Sequence, residues 1–192
     1  CALPISEGVL TDRFGYEEYA EYLLNVPVMV YRKNDRLVYE QEDQVKDVID
    51  YDTTEEELEY ILATVFPDVR TKGHLEIRMG DSLPYPFSIG YVAFWKGLLY
   101  DRENLDFLYR RCSTVQPDEY AEMRKKIKTS NGLGPNSDGF FPFFRELLRK
   151  AKSVLPSSET AFLAPLIELA EAGSIPKTRT LDQMDRGKAE AL

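Results

Sequence analysis

The sequence predicts an α+β fold, with a few antiparallel strands in its first half and a mostly helical second half. Two observations predict it. Short β-rich runs separated by turn signals (VPVMVY, RLVYEQ and GHLEIRMG) all lie before Asp81. From Asp101 onward the apolar residues recur at helical spacing. A chain of 192 residues is long enough to bury one well-formed core, so residues 1–192 read as a single domain, with a strand-and-helix part over 1–100 and a helical part over 101–192.

In chain order, residues 1–13 carry Pro4 and Gly8 among small residues and read as loop. Tyr16, Tyr19, Ala20, Leu23 and Leu24 fall on one helical face, and that helix must stop before Pro27. Val26–Tyr31 and Arg36–Gln41 flank Asn34-Asp35 and read as a hairpin. Val45, Val48 and Ile49 suggest a short helical or irregular piece. Thr53 or Thr54, with Glu56 or Glu57 three residues on, has the form of a capping box for a helix that carries Leu58, Ile61, Leu62 and Val65 on one face and ends at Pro67. Gly73–Gly80 then alternates strictly. Leu75, Ile77 and Met79 take one side, on a core, while His74, Glu76 and Arg78 take the other, with Lys72 in phase. Ile89–Tyr100 is apolar all round apart from Lys96, the pattern of a helix buried among others.

The second half continues with helices. Leu105 and Leu108 lead toward Cys112, and Pro117-Asp118 opens the next helix, with Tyr120, Met123 and Ile127 inward. Ser130–Gly139 is a loop. A further helix presents Phe140, Phe143, Phe144, Leu147, Leu148 and Ala151 on one face, with Trp95 and these phenylalanines read as core. Ser157-Ser158-Glu159 caps a helix that buries Phe162, Leu166, Leu169 and Ala170 and ends at Gly173, and Thr178 or Thr180 starts a last one.

Composition narrows the function. A net charge of −9 argues against general binding to nucleic acid or anionic membrane. Ten carboxylates lie between Tyr39 and Tyr60 against Lys46 alone, but they interleave with apolar residues and read as a solvated face. Two cysteines make no disulfide framework, and no signal peptide or spanning apolar run is present, which makes a cytoplasmic setting the expectation. The chain opens on Cys1-Ala2-Leu3-Pro4 without Met, as if cut from something longer.

Candidate chemistry centres on the alternating strand. Glu76 offers oxygens that suit a hard cation such as Mg²⁺, and Arg78 offers a planar fork for phosphate. The competing reading is an exposed strand that pairs its charges across to a neighbour. Arg70 and Lys72, as loop bases ahead of the strand, could clamp a carboxylate or phosphate, or be merely solvated. His74, the sole histidine, has no partner for a zinc site. Gly132-Leu133-Gly134-Pro135 lacks the GKS/T ending of a phosphate loop, and no nucleophile–base constellation can be assembled.

Several stretches, in order, resemble the plant and proteobacterial branch of the glutamate–cysteine ligase family. They are YAEYLLNVPVM (Tyr19–Met29), ATVFPDVRTKGHLEIRMGD (Ala63–Asp81), AFWKGLLYD (Ala93–Asp101) and ETAFLAPLIEL (Glu159–Leu169), with Pro176 and Leu181 beyond. The resemblance implies a glutamine-synthetase-like carboxylate–amine ligase fold. It also implies ATP-dependent joining of the γ-carboxylate of L-glutamate to L-cysteine through a γ-glutamyl phosphate, the first step of glutathione biosynthesis. Such chemistry relies on metal ions and fixed cations rather than on a nucleophilic side chain.

By position, Glu76 resembles a ligand of an active-site Mg²⁺, and Arg78 resembles the arginine that contacts the ATP phosphates and the transferred group. Arg70 and Lys72 match basic positions beside ATP and the substrates. The sequence departs from the plant pattern at Ser82-Leu83-Pro84-Tyr85-Pro86 and at Met79, which keeps another amine acceptor open. The family's N-terminal half has no counterpart here. The chain therefore resembles a C-terminal fragment of a larger catalytic domain, inactive alone, whose partners are that missing half or a second copy. A non-catalytic interaction domain derived from the fold is the alternative of a different kind.

Overall fold

The computed structural model describes residues 14–33, 36–39, 43–65, 67–71, 73–80, 82–129 and 139–187. Two compact units make up the chain, Cys1–Gly80 and Asp81–Leu192. The first holds α1 (Tyr16–Leu24), β1 (Tyr31–Lys33), β2 (Arg36–Val38), α2 (Val45–Val48), α3 (Glu55–Thr64), β3 (Val69–Thr71) and β4 (Leu75–Ile77). The second holds α4 (Phe87–Leu99), α5 (Arg102–Cys112), α6 (Pro117–Thr129), α7 (Phe140–Val154), α8 (Ser157–Thr160), a 3-10 turn (Ala161–Leu163), α9 (Ala164–Glu171) and α10 (Pro176–Arg186). Helices with two small antiparallel sheets are what α+β predicts at the coarse level.

In the first unit, β1 pairs antiparallel with β2 in the register Tyr31↔Val38, Arg32↔Leu37 and Lys33↔Arg36. The expected strand over Val26–Tyr31 lies mostly elsewhere. Val28 N donates to Asp43 O (2.9 Å) and Val45 N donates to Val26 O (3.0 Å), so this run bridges to the start of α2. The reason is burial. Val26 and Val28 join Val45, Val48, Ile61 and Val65 in one core, and extending the hairpin through them would pull the valines out of it.

The capping box falls on Thr54 and Glu57. Thr54 Oγ1 accepts from Glu57 N (3.2 Å), and Glu57 Oε2 accepts from Thr54 N (3.0 Å). The acidic run is partly consumed in such local work. Asp47 Oδ2 accepts from Gln44 N (2.9 Å), and Lys33 Nζ donates to Asp50 (3.0 Å). That exposed pair holds Asp50 below the ordinary carboxylate range, through Lys33 first and Thr53 second, and holds Lys33 above the ordinary amine range.

The second unit is built on α4 packed against α7 and α9. Ala93, Phe94, Leu98, Leu148, Ala151, Leu163, Leu166, Leu169 and Ala170 form its core, with Trp95 and Phe144 against it. Gly90 and Gly97 let α4 approach closely: a Cβ at Gly97 would sit 2.6 Å from Ala151 O, and one at Gly90 would sit 2.9 Å from Phe162 O. The expectation that α4 is buried on all sides is corrected, because Ile89 (41% exposed) and Val92 (64%) face outward. Its neighbours leave one stripe, Ile89, Val92 and Lys96, uncovered.

Phe162, expected inside, is also outside, and Leu163 is fully buried in its place. The predicted single helix breaks into α8, the 3-10 turn and α9, with Pro156 at its N-cap and no side-chain cap from Ser157. A 3-10 turn advances 120° per residue instead of 100°, which turns Phe162 out and Leu163 in. Gly173, at φ +58°, ends α9, and Ser174 N donates back to Leu169 O (2.9 Å). The last helix starts at Pro176, ahead of either threonine.

Asn104 is a buried polar residue with no apolar pattern to announce it. Its Nδ2 donates to Gly97 O (2.9 Å) and to Lys150 O (3.1 Å), tying α5 to α4 and α7. Asn104→Leu removes both bonds and takes the buried donor from Gly97 O, while Lys150 O keeps its bond from Ser153 Oγ (2.8 Å). The expected outcome is a loss of about 2 kcal/mol of stability, read as a lower urea midpoint at unchanged slope.

Candidate active site

The candidate residues gather on the β3–β4 hairpin and the C-terminus of α3. β3 and β4 pair antiparallel as Val69↔Ile77, Arg70↔Glu76 and Thr71↔Leu75, and Arg78 N extends the ladder by donating to Asp68 O (2.9 Å). Three residues, 72–74, separate the paired positions, and Gly73 at φ +65° takes the left-handed conformation that such a short turn requires. Arg70 is therefore a strand residue facing Glu76, which corrects its reading as a loop base. The signal was available: Val69-Arg70-Thr71 and Leu75-Glu76-Ile77 flank a glycine at hairpin spacing.

Arg70, Glu76 and Arg78 share one face of the hairpin. Arg70 Nε and Nη2 both reach Glu76 Oε2, at 2.8 and 2.7 Å. Oε1 takes no part in this pair. The side chains are 16% and 38% exposed, so water screens the interaction and the pair contributes about 1 kcal/mol or less to folding.

Arg70 Nη1 also donates to Ala63 O (3.3 Å), and Arg78 Nη1 donates to Val65 O (3.1 Å). Both acceptors are carbonyls at or just past the end of α3, where the helix has no partners of its own and its dipole favours positive charge. The end of α3 thus fixes two guanidiniums on the hairpin face that carries Glu76, and one of them, Arg70, pairs with its carboxylate. Sequence reasoning placed Glu76 and Arg78 in phase, but it had no way to see that backbone carbonyls of a preceding helix would hold the arginines. The charge pairing across strands, left open above, is the arrangement this structure adopts.

Lys72 lies outside the described residues. His74 is exposed. No group of three or more His, Cys, Asp or Glu side chains that could hold a metal ion occurs among the described residues. Cys112 is an exposed free thiol. The surrounding protein pushes its pKa up and Arg111 opposes this more weakly, so it is not an activated nucleophile.

The opposite face of the hairpin departs from expectation. Leu75 is 71% exposed, Met79 48% and Val69 38%, where the alternation predicted a face packed on a core. Together with α1 they border an apolar cleft of about 500 Å³. Tyr19 lines this cleft, and its hydroxyl accepts from Thr71 N (3.2 Å).

These features can be set beside known proteins. The profile of Glutamate-cysteine ligase family 2 (GCS2) matches residues 5–192. The chain belongs to this family, one of ligases. It is 32% identical over 187 residues to the chloroplastic glutamate–cysteine ligase of Nicotiana tabacum, covering 91% of this chain and 36% of that protein. Against the chloroplastic enzyme of Arabidopsis thaliana it is 30% identical over 190 residues, with the same coverage. Against chloroplastic ligase A of Oryza sativa subsp. indica it is 29% identical over 186 residues, 91% of this chain and 38% of that protein. The chain thus spans little more than a third of the length of these relatives.

The expectation of a cytoplasmic setting is overturned, since each of these relatives is named chloroplastic. Few cysteines and the lack of a long apolar run do not distinguish one soluble compartment from another. Among the described residues no helix is long and apolar enough to cross a membrane.

Proposed function

We propose that this chain supplies the arginine- and glutamate-bearing strand of an ATP-dependent ligase that joins the γ-carboxylate of L-glutamate to L-cysteine through a γ-glutamyl phosphate, the first step of glutathione biosynthesis. One observation carries the reading: a family match over residues 5–192 contains a half-buried carboxylate paired with one fixed guanidinium, Arg70, and sharing its strand face with a second, Arg78. Phosphoryl transfer between two anions is limited by charge, and cations held in place before the substrates arrive lower that barrier without a reorganisation cost. The helix-end carbonyls hold the guanidiniums of Arg78 and Arg70, and resemblance assigns Arg78 to the ATP phosphates and the transferred group, with Arg70 and Lys72 beside the substrates.

Glu76 fits a metal role as one ligand among several. Mg²⁺ takes one or two carboxylates and completes its shell with water and substrate phosphates, and Glu76 Oε1 is left out of the ion pair with Arg70. When bound, the ion would neutralise phosphate charge. The described residues offer no cage for it, so the further ligands belong to other parts of the ligase or to ATP. In this reading the chain is part of a larger catalytic domain of the glutamine-synthetase-like kind, it is inactive alone, and its setting is the plastid named for its relatives. The departures at Ser82–Pro86 and Met79 favour, as the second reading, a different amine acceptor on the same chemistry.

ADP release by the complete polypeptide that carries this stretch decides between them. Release that needs glutamate and is fastest with cysteine is the expected result. A faster rate with another amine from a panel selects the second reading, and no glutamate dependence overturns both. ADP formation by residues 1–192 alone would overturn the claim that the chain is incomplete for catalysis.

A further inference from the structure

The apolar face of the β3–β4 hairpin is exposed. A strand with alternating residues normally buries its apolar face and leaves its charges in water. Here the charged face is the more covered of the two, while Leu75, Met79 and Val69 stand 71%, 48% and 38% exposed. The cleft they border with Phe14, Tyr16 and Tyr19 is about 500 Å³ and is lined almost entirely by carbon. A sizeable exposed apolar concavity on a folded unit marks an interface. Its walls carry aromatic rings and a methionine, the residue types enriched at interface centres.

We propose that this cleft is the seat of an apolar segment from the part of the ligase chain outside the stretch matched here. The length of the relatives supports that occupant over others, because the tobacco and Arabidopsis enzymes carry most of their length beyond the 36% that corresponds to this chain. The chemistry supports it too. Among the described residues that line it, the cleft offers no charged side chain to a small polar ligand apart from Asp68, which already has interactions of its own, so its complement is a run of aliphatic and aromatic side chains. Seating such a run would cover Leu75 and Met79 on one side of the hairpin and leave Glu76 and Arg78, on the other side, untouched. The proposal rests on the family assignment and not on the catalytic roles given to the charged face, so either can fail alone.

The test uses thiol labelling at residue 75, with Cys1 and Cys112 replaced by serine. Leu75→Cys is read by peptide mass spectrometry in the isolated chain and in the tobacco ligase whose matched stretch is replaced by this chain. Tyr51→Cys, at a fully exposed position, is the control. The expected result is labelling at position 75 slowed about tenfold or more in the long chain, with position 51 unchanged. Equal rates at position 75 overturn the proposal. If position 51 also changes, the hybrid has misfolded, and the same two rates are read with the chain and the remainder of the tobacco ligase mixed in trans. Protection at position 75 in the isolated chain, lost together with a dimer on Leu75→Glu in sedimentation, would make a second copy the occupant and overturn the proposal as well.

Discussion

Gly97→Ala is expected to destabilise the helical unit by about 3 kcal/mol, although alanine is the better helix former. The two effects oppose each other and their sizes decide the sign. Replacing an interior helical glycine by alanine gains about 1 kcal/mol from backbone entropy when space allows. Here space does not allow it. The new methyl would lie 2.6 Å from Ala151 O, 2.7 Å from Ala151 Cα and 2.8 Å from Ala151 Cβ.

None of those atoms is the end of a flexible side chain, so α7 must move away from α4. Leu98 and Leu148 share that contact and are 0% and 2% exposed, and they would lose packing along it. Asn104 would suffer in the same step, since its two acceptors, Gly97 O and Lys150 O, belong to the two helices being separated. Gly90→Ala is the milder counterpart, with its nearest obstacle at 2.9 Å and its next a leucine side chain at 3.2 Å that can shift. Urea unfolding followed by circular dichroism at 222 nm measures both. An unchanged or raised midpoint for Gly97→Ala would show that α4 and α7 are not in this close contact.

The parts of this fold that were legible in the sequence are those fixed by neighbours along the chain. The Thr54–Glu57 box, the stop of α1 before Pro27 and the inward face of α7 through Leu148 and Ala151 depend on cap chemistry or on a 3.6-residue period. What was not legible depends on residues far apart. Nothing within VPVMVY says that Val28 N will donate to Asp43 O and not along the hairpin. Nothing in α4 says that Val92 lacks a covering helix, because a run apolar all round is written the same way whether its neighbours cover one side or all. Phe162 and Leu163 exchanged places through one 3-10 turn, a local geometry without a composition of its own. The candidate site divides the same way. The phase of Glu76 and Arg78 was readable from alternation, whereas the pairing of Arg70 with Glu76 required the register, and the anchoring of both arginines on Ala63 O and Val65 O required the fold.

Glu76→Gln in the complete ligase is the substitution with the largest expected effect on activity, because the two roles open to Glu76 predict results of very different size. As a partner for Arg70 alone, Glu76 is a half-exposed ion-pair member, and losing its charge costs about 1 kcal/mol of stability or less with little change in turnover. As a ligand contributing to an Mg²⁺–ATP site, it carries charge that the transition state needs, and an amide of the same shape cannot replace it. Turnover then falls by about 10²–10³ or more, while the unfolding midpoint moves little. Titrating Mg²⁺ separates the causes further: a lost metal ligand raises the concentration at which the residual rate saturates, and a lost ion pair does not. Arg70→Gln breaks the same pair from the other side, and because Arg70 is itself assigned to the substrates, its Mg²⁺ dependence rather than its turnover is the comparison. If both substitutions reduce turnover equally and leave the Mg²⁺ dependence alone, Glu76 serves the hairpin and not the metal. If only Glu76→Gln shifts the Mg²⁺ dependence, the carboxylate oxygen left outside the pair is what the chemistry uses.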